Sequence, residues 1–103
     1  MSEILLRIVE GARVVLYRHD PKSFAENVPA RYDLFRYDGG YGWGYGGTGA
    51  NSLAFAIAGK ISELENLSNA QIADRARRIL ENVVSKLDGD QEHTLSVVSL
   101  KAI

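Results

Sequence analysis

Among the side chains able to do chemistry in this 103-residue sequence, no catalytic set assembles. His19 and His93 lie far apart, and neither sits in a metal-ligand spacing, so each reads as a surface or strand-end residue. Asp33 and Asp38 would suit paired acid and base work, yet Arg31 and Arg36 stand beside them and balance their charge. Thr48 and Ser52 offer hydroxyl nucleophiles, but no base neighbours either, and helix capping accounts for both. With no cysteine there is neither a disulfide framework nor a thiolate metal site. The expectation is a non-enzyme with no metal and no cofactor.

Binding chemistry is better represented. Seven of the ten glycines and the single tryptophan fall between Gly39 and Gly49, in GGYGWGYGGTG, directly before the apolar run ANSLAFAIAGK. Glycine gives up more conformational freedom on folding than any other residue, so such density needs an offsetting gain. Two gains are open. Unpaired backbone N–H groups at a helix start attract anions, and Gly46, Gly47 and Thr48 would bring a phosphate close to them. Alternatively the glycines let the loop turn sharply and pack, with Trp43 and Tyr45 burying their rings and Thr48 capping the helix. Gly42 to Gly47 and Gly44 to Gly49 both fit G-x-G-x-x-G, a match that arises easily in so glycine-rich a stretch. No strand-helix-strand unit accompanies it, and Ala50 after Gly49 removes the phosphate-loop pattern.

Upstream, RYDLFRYDGGYGWGY interleaves arginine with aromatics: Arg31, Arg36, Tyr37, Tyr41, Trp43 and Tyr45. Stacking of bases on such rings is how single-strand binders work. Twelve basic against thirteen acidic side chains give a net charge of −1, and Asp33 and Asp38 cancel the local arginines, so nucleic acid is not expected. Tyrosine, tryptophan and arginine also dominate protein-binding hot spots, which makes a protein partner the leading expectation. Arg75, Arg77 and Arg78 lie near Asp74 and Glu81, the pattern of a solvated helix face.

The elements that must hold these residues follow from periodicity. Ile4 to Val9 and Val14 to Tyr17 flank Glu10-Gly11-Ala12 and predict a hairpin, with Gly11 at positive φ. HDPKSFAENVPARYD, with both prolines, reads as a connecting loop, and alternation from Arg31 to Tyr37 allows a short third strand. A nearly all-apolar helix is expected from about Ala50 to Leu64. Ser68 and Gln71 form a capping box with Leu67 and Ile72 as a staple, opening an amphipathic helix that runs to Leu87 and stops at Asp88-Gly89. His93 to Leu100 is the closing strand candidate. The fold class is therefore α+β: a single domain over 1–103 with a small antiparallel sheet and two helices. The apolar run from Leu53 to Ala58 is far short of a bilayer span of roughly 20 residues. MSEILLRIVEG lacks the start of a signal peptide, so a cytoplasmic location without membrane contact is expected.

Trp43 to Gly49, WGYGGTG leading into ANSLAFAI, resembles a family of small uncharacterised bacterial and phage proteins with the signature Trp-Gly-Tyr-Gly-Gly-Ser/Thr-Gly before an Ala/Leu-rich helix. In that family a proline commonly follows the last glycine, where Ala50 stands here. The resemblance implies a setting in phages and mobile elements and carries over no catalytic residues. It favours an inhibitor of bacterial defence, such as an anti-CRISPR protein, that binds a protein partner. Two alternatives stay open: a binder of a phosphate-bearing small ligand or signalling nucleotide within a homo-oligomer, and a structural virion protein.

Overall fold

The computed structural model describes residues 1–103 as an α+β unit with a four-stranded antiparallel sheet. Strands β1 (Glu3–Val9) and β2 (Ala12–Arg18) form the expected hairpin. Glu10 and Gly11 both take positive φ, 50° and 83°, the backbone of a tight two-residue turn that follows the twist of its strands. The sheet order is β3-β2-β1-β4, so the first strand of the chain lies inside the sheet and pairs with the last. Ile4, Leu6 and Ile8 face one side, in register with Tyr17, Val15 and Arg13. Helix α1 (Thr48–Ile61) packs into that side and is buried around most of its circumference, as its nearly all-apolar sequence requires.

Helix α2 (Asn69–Asn82) opens with the expected capping box: Ser68 Oγ accepts from Gln71 N–H, and Gln71 Oε1 accepts from Ser68 N–H at 2.8 Å. It lays Ile72, Ala76 and Ile79 against α1, while Arg77 and Arg78 face out and pair with Asp74. Arg75 instead reaches back to Glu65.

Three boundaries differ from expectation. The third strand is β3 (Glu26–Asn27), inside the segment read as loop, not Arg31 to Tyr37. Val28 is buried and donates its N–H to Val15 O, and Pro29, which has no N–H, ends the ladder. Residues 31–35 form a turn closed by Leu34 and Phe35 N–H groups on Arg31 O and by the Arg31–Asp33 ion pair. Phe35 then stacks on Phe55 of α1 at 5.3 Å. Second, α2 ends at Asn82, and a single 3₁₀ turn (Val84–Lys86) follows, which drops Val84 into the core. Gly89 is therefore no helix cap; φ there is not positive, and its lack of a side chain lets its backbone approach Trp43 O. Third, β4 (His93–Ser96) is only half the expected strand. Val97 to Lys101 coil into α3, with Ser96 Oγ as the cap, because Val97 and Leu100, three residues apart, both reach the core from a helix.

Candidate functional site

The glycine-rich stretch crosses the face where α1 begins, and its residues divide into pinned and exposed. Trp43 is 2% exposed. Its Nε1 donates to Gln91 O at 2.9 Å, its ring stands nearly perpendicular to that of His93, and the Arg13 guanidinium lies 4.5 Å over its face. This places Trp43 in the core, so its ring is not a surface that a partner can touch. Next to it Gly44 has φ +88°, donates its N–H to Val84 O and runs against Gly89, where an added Cβ would stand 2.8 Å from the Gly89 Cα. The backbone at 43–44 is thus clamped to the 84–91 segment.

Tyr45 accounts for much of the remaining glycine. A Cβ at Gly42, Gly47 or Gly49 would come within 2.5, 2.7 and 2.6 Å of Tyr45 ring or hydroxyl atoms. The ring lies across the start of α1 in a bed of bare backbone, with about half of it open to solvent. Gly47 is the N-cap residue, Thr48 occupies the first helical position, and neither supplies a side-chain cap. The Thr48 cap expected from sequence is absent; Asn51 Nδ2 instead donates to the carbonyls of Gly47 (3.0 Å) and Gly46 (3.3 Å) and ties the loop to the first turn. Around Gly46 there is open space.

The remaining anticipated residues gather on the neighbouring surface. Tyr41 donates its hydroxyl to Val28 O at 2.9 Å, and burial pushes its pKa up to about 12, so it is a fixed neutral donor. Arg31 is held by Asp33, which raises the guanidinium pKa, and it lies along Gly59 of α1, where a side chain would collide with it. Arg36 stands 5.5 Å over the Tyr32 ring. Interaction with the Asp38 carboxylate holds the Tyr32 hydroxyl above its ordinary value. Tyr37 folds back over Gly39.

Between these residues and the first half of β2 opens a cleft of about 280 Å³, with Arg13, Tyr32, Tyr37, Asp38, Tyr41 and Ser52 among its walls. It brings together two of the anticipated residues, Tyr37 and Tyr41, and leaves Arg31, Arg36, Trp43, Tyr45, Gly46, Gly47 and Thr48 outside it. Sequence reasoning missed Arg13 and Ser52 as cleft residues. Arg13 had a signal: it is a charge in phase with the inward residues Val15 and Tyr17. The cleft offers aromatic rings, hydroxyl groups, one guanidinium and the Asp38 carboxylate.

No curated protein and no solved structure matches this chain. Residues 6–103, nearly its whole length, match a family of unknown function, DUF6166, and the chain belongs to that family.

Proposed function

We propose that this chain is a non-catalytic accessory protein that binds a protein partner through the exposed part of its 31–45 segment. The observation that carries this reading is the pairing of exposed rings with a pinned backbone. Tyr32 and Tyr45 are 50% and 49% exposed, Arg36 lies over Tyr32, and Trp43, Gly44 and Tyr41 fix the chain between them. Rings presented on a loop already ordered lose little entropy on association, and tyrosine and arginine supply the largest share of contact energy. The WGYGGTG resemblance adds the finer form: a phage or mobile-element protein acting in the cytoplasm of a bacterial host as an inhibitor of defence.

A photocrosslinking residue at position 45, introduced into the chain in a bacterial host, tests this. A discrete protein adduct that is lost with Arg36→Glu, while the unfolding midpoint stays unchanged, is the expected result. Adducts that form equally from position 64, where Leu64 is fully exposed on the α1–α2 connection, would remove the reading.

A further inference from the structure

We infer that the cleft beside β2 is a binding site for a small aromatic anion: one planar ring bearing a carboxylate or a phosphate, its charge taken by Arg13. The inference goes beyond the protein-binding surface: the cleft shares Tyr32, Tyr37 and Tyr41 with the 31–45 segment, but its charge comes from Arg13 of β2, outside that segment. Arg13 points to the helix side of the sheet, where Val15 and Tyr17 are packed with the core. There its Nη1 is the one buried side-chain nitrogen or oxygen in the molecule with no hydrogen-bond partner. Trp43 attracts the guanidinium from one side at 4.5 Å, but a ring face offers no lone pair. Arg13 takes part in none of the ion pairs of the fold, although every other arginine except Arg7 and Arg36 does. Arg7 donates instead to His93 O and Thr94 Oγ1, and Arg36 lies on the surface over Tyr32. Arg13 alone is drawn inward without an acceptor, and a buried donor in that state is costly.

The space beside it has the complementary form. Tyr32, Tyr37 and Tyr41 contribute aromatic walls, Ser52 on α1 adds a hydroxyl-bearing residue, and Val14, Val15 and Val28 supply apolar surface. A volume of about 280 Å³ is at the small end of ligand sites and suits one ring with its charged group. Nη1 has almost no surface of its own open to the cleft, so an oxyanion reaches it by the guanidinium turning off the Trp43 face, and the short charge-assisted bonds it then accepts supply what the ring of Trp43 does not. Asp38, also in the wall, is opposite in charge to Arg13 and belongs to none of the ion pairs of the fold, so it limits how much negative charge the cleft admits.

Titrations of the full chain with benzoate, phenyl phosphate and inorganic phosphate read this directly. Two signals apply: the emission of Trp43, which lies under Arg13, and the side-chain N–H resonance of Arg13. Saturable changes with benzoate or phenyl phosphate are expected, and inorganic phosphate should bind about tenfold more weakly for want of a ring to stack. Tighter binding of benzoate assigns a carboxylate ligand; tighter binding of phenyl phosphate assigns a phosphate. Arg13→Gln should weaken the preferred probe by about tenfold or more. Asp38→Asn, which leaves the Trp43 contacts in place, should strengthen it by removing a like charge. No saturable change with either ring anion overturns the inference. So does unchanged binding in a folded Arg13→Gln chain or, where that chain does not fold, unchanged or weaker binding in Asp38→Asn. Crosslinking from position 45 is a separate reading, made without any small anion, so failure here and failure of the protein-binding surface are told apart.

Discussion

At the scale of single residues, the glycines of the 39–49 stretch are present for different reasons, and substitution separates them. Gly44 has both a left-handed backbone and a neighbour, Gly89, too close to admit a Cβ. Gly44→Ala combines the cost of that conformation with displacement of the 84–91 segment, about 2 to 4 kcal/mol together. Gly46, two residues on, has open space around it and no positive φ, so Gly46→Ala should stay within about 0.5 kcal/mol. Urea unfolding of the two variants decides the matter, and equal losses would show that close approach is not what selects glycine at 44. The sequence singled out this stretch through its composition and offered close packing as one reason, but not which ring or strand of backbone each glycine meets. A ring packed on the backbone of three glycines leaves no linear pattern, so the glycine density also left an anion at the helix start open beside the packed-loop reading. Arg13 was hidden for a similar cause: its place in the cleft depends on Trp43, thirty residues away in the chain.

At the scale of elements, what was legible is what local chemistry decides. The hairpin follows from two β-rich runs around Gly11, and the start of α2 follows from the Ser68–Gln71 box. Elements set by distant partners were misread: β3 exists because Val28 meets Val15, and α3 because Val97 and Leu100 share one side of a turn. The segment joining α1 to α2 shows how such distant partners act. Glu65 there pairs with Arg75 of α2 at 2.7 Å and with Lys101 of α3 at 3.4 Å, and Arg75 also donates to Ser62 Oγ. Arg75, and less strongly Lys101, lower the pKa of Glu65 below its ordinary 4.5. A depressed folded-state value means the contribution is complete above the unfolded value and is lost as the pH falls through the folded one. The thermal midpoint should therefore decline below about pH 4.5, and Glu65→Gln should flatten that decline. Parallel midpoint curves for the two chains between pH 6 and the acid limit, on the order of pH 2, would show that this cluster does not couple the three helices.

At the scale of the whole molecule, the order β3-β2-β1-β4 makes the two ends of the chain interdependent. Strand β1 is central because β4, contributed by residues 93–96, completes its outer side. The same terminal segment sends Val97 and Leu100 into the core and supplies Lys101 to Glu65 and the Ile103 carbonyl to Arg78. Removing residues 93–103 thus exposes the edge of β1 together with Ile4 and Leu6, two of the most completely buried side chains. Burial of one aliphatic side chain contributes about 1.5 to 3 kcal/mol, and the stability of a domain this size is on the order of 5 to 15 kcal/mol. Loss of Val97 and Leu100, of the β1–β4 ladder and of cover over β1 adds up to most of that margin. A chain ending at residue 92 is expected to show no cooperative urea transition by circular dichroism, although the hairpin, α1 and α2 are all present in it. Trp43 reports the same event from within, since its Nε1 partner Gln91 and its neighbour His93 fall on either side of the cut. A cooperative transition with a midpoint near that of the full chain would mean that β1, β2, α1 and α2 hold the core alone. The closing strand would then be an addition to the fold rather than part of its minimum.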